Sequence, residues 1–75
     1  MIVIFKFMNI EAERARKGMT KEELSKELGV STKTYYNWIN GERPIPNTAL
    51  AKMKNIFGTN IDYLLEEREV EKNAV

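Results

Sequence analysis

The 75-residue chain predicts an all-α fold of five short helices, and three observations lead to that reading. Apolar residues recur three or four apart, as on one face of a helix. Four glycines, Gly18, Gly29, Gly41 and Gly58, each close such a stretch. A hydroxyl or amide residue stands where most of the stretches open: Thr20, Ser31, Asn47 and Asn60.

The first helix is expected over Asn9 to Lys17, with Ile10, Ala12 and Ala15 among charges and Gly18 as its stop. Thr20 followed by Glu23 is a capping box, in which each end's side chain satisfies the other's backbone N–H. It opens a second helix with Leu24 and Leu28 on one face, ended by Gly29. Ser31 caps a third, Thr32 to Asn40, with Tyr35 and Trp38 three apart on its inner side. The loop GERPIPN is set by two prolines, and Asn47 is the expected cap of the fourth helix. Leu50, Met53, Ile56 and Phe57 form that helix's inner stripe, closed by Gly58. The fifth begins at Asn60 and carries Ile61, Leu64 and Leu65. From Glu66 onward the chain is charged and is expected to fray.

Composition narrows the function. Without cysteine or histidine there is no disulfide framework and no thiolate or imidazole metal site, so neither metal nor cofactor is expected. Chemistry would rest on carboxylates, lysines and hydroxyls, and no obvious carboxylate pair is present, which argues against an enzyme. MIVIFKF, Met1 to Phe7, is the only compact apolar run. It is far short of the ~20 apolar residues that span a bilayer, so the expectation is a cytoplasmic protein with no membrane partner and no small-molecule ligand. Net charge is +1, but residues 1–54 carry ten Lys/Arg against six Asp/Glu, and residues 55–75 carry two against five. A mildly basic body with an acidic tail is compatible with nucleic acid on one face.

The joint LSKELGVS, Leu24 to Ser31, reads as helix, glycine turn and capped helix, with three residues between the helices. So short a connection forces a steep crossing. Here the chain resembles the helix-turn-helix domain of the lambdoid phage repressors and Cro proteins, often called the XRE family. The resemblance rests on the T-K-E-E-L opening, the L-G-V-S turn, the aromatic and N-G around the end of helix three, and the I-D-Y-L-L close. It runs over Gly18 to Leu65 and, with the preceding helix, covers residues 9–66 as a DNA-binding domain. Residues 1–8 are then an apolar extension and residues 67–75 a charged tail.

The resemblance implies a lambda-repressor-like five-helix fold and a transcriptional regulator of double-stranded DNA, with helix three in the major groove. Base contacts map onto Thr32, Lys33 and Asn37. Thr20, Lys21, Ser31 and Tyr36 fall at backbone-contact positions, and Arg14 and Arg43 are further cationic candidates. The residue types suit base reading, since amides and hydroxyls pair with base edges and lysine reaches guanine. Solvated filler is the plain alternative for each, and core packing explains Tyr35 and Trp38 better than a single-strand stacking platform. The family commonly pairs a glutamate after the helix-three aromatic with an arginine in helix one. Here that position is Ile39, so Arg14 is expected to be free for phosphate.

A module this small reads few base pairs, and two-fold dimers supply the missing discrimination. Ile61, Leu64 and Leu65 are dimer candidates on the last helix. Ile2 and Ile4 are others, because five β-favouring residues in MIVIFKF suggest a strand, which needs a partner; pairing across a dimer axis provides one. The expected role is a repressor on a palindromic operator. The alternative is an antitoxin-like protein-interaction module of the same fold.

Overall fold

The computed structural model describes the backbone of residues 2–67 and 70–73 and the side chains of residues 6–67. Five helices form the body: α1 (Met8–Arg16), α2 (Lys21–Leu28), α3 (Thr32–Ile39), α4 (Asn47–Phe57) and α5 (Ile61–Leu64). Two strands flank it, β1 (Ile2–Phe5) and β2 (Val70–Asn73), paired antiparallel in the register Ile2↔Asn73 to Phe5↔Val70. The N-terminal strand therefore exists, and its partner is the chain's own C-terminal segment. That segment was expected to fray; the ladder bonds that β1 offers give Val70–Asn73 a regular conformation that its local sequence does not dictate.

The helix starts follow local chemistry. Thr20 Oγ1 accepts from the Glu23 N–H at 3.0 Å and Glu23 Oε1 from the Thr20 N–H at 2.8 Å, a complete capping box. Ser31 caps α3 through the Thr34 N–H, and Asn60 caps α5 through the Tyr63 N–H. Asn47 does not cap α4. Pro46 occupies the cap position at φ −63°, ψ 148°, and Asn47 is already the first helical residue. The proline ring fixes φ at the boundary, and its carbonyl takes the first helical bond, from the Leu50 N–H.

All five helices contribute to one core. Ile10 of α1, Leu24 and Leu28 of α2, Tyr35, Trp38 and Ile39 of α3, Met53 and Phe57 of α4 and Leu64 of α5 are buried together. Ile56, expected on the inner stripe, is only partly buried at its edge. Buried polar groups are satisfied within this frame. Asn9 Nδ2 donates to the Tyr63 carbonyl at 2.8 Å, tying α1 to α5. Ser25, on the buried face of α2, returns its hydroxyl to the Lys21 carbonyl. No buried side-chain nitrogen or oxygen among the described residues lacks a partner. Among these residues no helix is long and apolar enough to cross a membrane.

The N-terminal segment is fastened to the end of α3. The N–H groups of Lys6 and Phe7 both donate to the Ile39 carbonyl, at 2.9 and 3.1 Å. The Lys6 side chain lies over Gly41, and its ammonium is 3.4 Å from a Glu67 carboxylate oxygen.

Gly29 holds the α2–α3 joint at φ +73° with open space around its Cα. Gly29→Ala therefore introduces backbone strain without a clash. The expected loss is about 1–2 kcal/mol, read as a lowered thermal midpoint with an unchanged helical spectrum.

Candidate nucleic-acid interface

The phase of α3 divides it cleanly. Tyr35, Trp38 and Ile39 enter the core, while Lys33, Tyr36 and Asn37 face away from it and Thr32, about two turns before Ile39, stands at the margin. Lys33 and Tyr36 are exposed, and Thr32 and Asn37 are partly buried. Lys33 and Asn37 thus share one polar face, with Thr32 at its edge in the first turn, carried by a helix whose other side is locked into the core. Asn37 is also fixed from behind, because its carbonyl accepts the N–H groups of both Glu42 and Arg43 as the chain leaves the helix. Arg43 follows in the exposed loop. With Tyr35 at 0% exposure and Trp38 at 4%, both rings are core and neither offers a stacking surface.

The backbone-contact candidates separate into engaged and open groups. Ser31 is exposed, but its hydroxyl is committed to Thr34, accepting from the N–H at 3.1 Å and donating to Oγ1 at 3.0 Å. Thr20 is exposed at the start of α2, yet its N–H and hydroxyl oxygen are both used in the capping box. The Glu23 carboxyl is held below its usual range by the backbone and hydroxyl of Thr20. At neutral pH an anion therefore already occupies part of the site where a phosphate was expected.

Arg14 is not free. Its Nε donates to Glu11 Oε2 at 3.0 Å, Nη2 to Glu11 Oε1 at 3.3 Å, and Nη1 to the Met19 carbonyl at 2.6 Å. Its side chain is 17% exposed. Glu11, one turn earlier on the same helix, supplies the carboxylate that Ile39 cannot. Ile39 itself is buried in the core.

Glu11 is the residue at the centre of this arrangement that sequence reasoning missed. Its carboxylate also accepts the Tyr35 hydroxyl and lies 3.5 Å from the Lys21 ammonium. One side chain of α1 thereby holds groups from α2 and α3. The Lys21 ammonium in turn sits over the Tyr36 ring, 5.4 Å from its centroid, within cation–π range. The only local signal was the Glu11–Arg14 spacing of three; the rest is tertiary. Burial alone would raise the Glu11 carboxyl, but the hydrogen bonds from Arg14 and Tyr35 and the charges of Arg14 and Lys21 outweigh it, and the group is held below the usual carboxylate range. The Tyr35 hydroxyl is pushed well up, first by burial and then by the neighbouring carboxylate.

Of the dimer candidates, Leu64 is consumed by the core at 0% exposure. Ile61 is partly buried, and Leu65 stands exposed at 36%. Ile2 and Ile4 lie in β1, whose side chains are outside the described residues.

With this geometry in place, comparison with known families is decisive. A helix-turn-helix family model matches residues 10–64. The chain belongs to the XRE-type helix-turn-helix family. The match begins at Ile10, leaves β1 and β2 outside, and spans the five helices apart from the first two residues of α1. The family is one of DNA-binding regulators, and this chain is a DNA-binding regulator of that type. No curated protein matches the chain closely enough to serve as a named relative.

The Glu11 cluster has a pH signature. A carboxyl whose folded pKa lies below its unfolded value stabilises the fold above the unfolded value near 4.5 and loses that contribution as pH falls through the folded one. Glu11→Gln should cost about 1–3 kcal/mol at pH 7. Thermal melts from pH 6 down to 3 should show this difference between wild type and variant shrinking below pH 4.5. Glu23 titrates in the same window in both proteins, so only the difference is diagnostic.

Proposed function

We propose that the protein is a transcriptional repressor that binds a palindromic operator as a homodimer, with α3 of each copy in a major groove. The observation that carries this reading is the division of α3. Its buried face is built of Tyr35, Trp38 and Ile39, and its outer face of Lys33, Tyr36 and Asn37, with Thr32 at the margin in the first turn. A helix locked on one side and polar on the other presents donors and acceptors at fixed positions, which direct readout requires. Thr32, Lys33 and Asn37 are assigned the base edges. Lys21, Tyr36 and Arg43 are assigned the sugar–phosphate backbone, with lesser parts for Thr20 and Ser31, whose hydroxyls already serve as caps. Arg14 is left out of this assignment, since its Nε, Nη1 and Nη2 each already donate to Glu11 or Met19.

Occlusion of polymerase at a promoter needs only tight placement on DNA. The second copy doubles the number of base pairs read, lifting discrimination above what one small domain achieves. Ile61 and Leu65 remain the side-chain candidates for that contact. The role proposed is binding rather than catalysis, in the cytoplasm.

A protein-interaction role of the antitoxin kind has one specific support. Exposed Leu65 borders an open cleft between Lys6–Phe7 and the Gly41–Ile45 loop, whose wall includes Arg43. A partner seated there would cover Arg43 and compete with DNA for it.

Binding-site selection from random duplex DNA tests the proposal. Wild type should enrich a two-fold symmetric site, and Thr32→Ala/Lys33→Ala/Asn37→Ala should lose it while melting like wild type. Failure of a folded wild type to enrich any sequence would favour the protein-interaction role.

A further inference from the structure

The Glu11 carboxylate lies at the meeting of three helices, and its surroundings carry more positive than negative charge. Arg14 binds it through two donors at 3.0 and 3.3 Å, which satisfies the anion within α1. The Tyr35 hydroxyl adds a neutral donor from α3. Lys21 then approaches at 3.5 Å as a second cation on an anion already neutralised. The cluster has one charge in excess, and the excess is placed asymmetrically. Side-chain exposure is 11% for Glu11, 17% for Arg14 and 28% for Lys21. The surplus cation is the outermost member, and the ring beneath it, Tyr36, belongs to the exposed face of α3.

A lysine in the first turn of a helix ordinarily sweeps a wide volume, and binding a phosphate costs it rotamer freedom. Lys21 differs. A carboxylate behind it and an aromatic face below it restrict the ammonium before any ligand arrives. Restraint in the bound geometry raises affinity by lowering that ordering cost.

We propose that Glu11 is a positioning residue for DNA binding: from the far side of the α2–α3 joint it holds the Lys21 ammonium over the Tyr36 ring, so that a backbone phosphate meets a cation already in place. The inference rests on the assignment of Lys21 and Tyr36 to the DNA backbone made above. Glu11 itself touches no DNA. Its effect runs against simple charge counting, because removal of a carboxylate from a DNA-binding surface ordinarily tightens binding.

The test uses the full chain and a random-sequence duplex of about 20 base pairs at low salt, where backbone contacts dominate affinity. Temperatures well below each variant's melting point keep all proteins folded. Lys21→Met examines the underlying assignment: it should weaken binding and reduce the slope of log affinity against log salt by about 1. An unchanged slope would remove Lys21 from the interface, and the assignment would fail independently of Glu11. Glu11→Gln and Glu11→Asp then examine the inference. Both should weaken binding about fivefold, although the first raises the net charge and the second leaves it unchanged while shortening the reach of the carboxylate. Neither should weaken binding further in a Lys21→Met background.

Tighter binding by Glu11→Gln with Glu11→Asp unchanged would mean that only charge matters and would overturn the proposal. Equal losses with and without Lys21 would also overturn it, since they mark general structural damage. If both Glu11 variants unfold, Lys21→Met and Tyr36→Leu close a cycle from the surface side. Losses that fail to add support a shared placement, and additive losses overturn it.

Discussion

Gly29 turns the chain in three residues between α2 and α3, at a φ of +73°, and the rest of the molecule is arranged around that crossing. The short joint leaves α3 one available side against the core, the side bearing Tyr35, Trp38 and Ile39. Leu24 and Leu28 meet it from α2, and α1, α4 and α5 close the remaining directions. The outward arc of α3 is therefore a by-product of packing. A polar residue placed there is displayed in a fixed direction, because the apolar residues behind it have nowhere else to go. Side chains on a loop would lack that rigidity.

The crossing also creates an electrostatic problem. Tyr35 carries a hydroxyl into a site where every polar atom needs a partner. Glu11 accepts it, Arg14 neutralises Glu11, and a further guanidinium nitrogen binds the Met19 carbonyl in the turn between α1 and α2. A single buried phenol thus accounts for a network that reaches three helices. Ile39, beside it, shows the other solution. That position is apolar and fully buried, and the α1 arginine finds its counterion within α1 itself.

What was legible in the sequence was what local chemistry decides. The Thr20–Glu23 box, the Ser31 cap and the left-handed turn at Gly29 involve residues at most four apart, and all stand as read, as do the helix end at Gly58 and the start of the fifth helix at Asn60. The inner and outer faces of α3 were legible because helical phase fixes them once the ends are known. Asn47 was misread by a local rule that a neighbour overrode: Pro46 had already set the boundary. The commitment of Arg14 was invisible for a different reason. A carboxylate three residues away is equally available on any helix surface, and only the tertiary site of Tyr35 decides that Glu11 turns inward. The strand at Val70–Asn73 was hidden in the same way, since its ladder partner is separated from it in sequence by the whole helical body.

That last pairing has a consequence for how the molecule is made. β1 precedes the helical body and β2 follows it, so on the ribosome the apolar stretch Ile2–Phe5 emerges long before the segment that pairs with it. Closing so long a loop adds an entropic cost that grows only slowly with length, but the order of events is imposed by synthesis. The helices have local contacts and can fold first, and the ribbon is completed only after Val70–Asn73 has left the exit tunnel. In the interval an uncharged strand edge is open to any other nascent chain, including another copy of this protein. The Lys6 and Phe7 N–H groups, which anchor the following residues on the Ile39 carbonyl, tether that edge to the folded body while it waits.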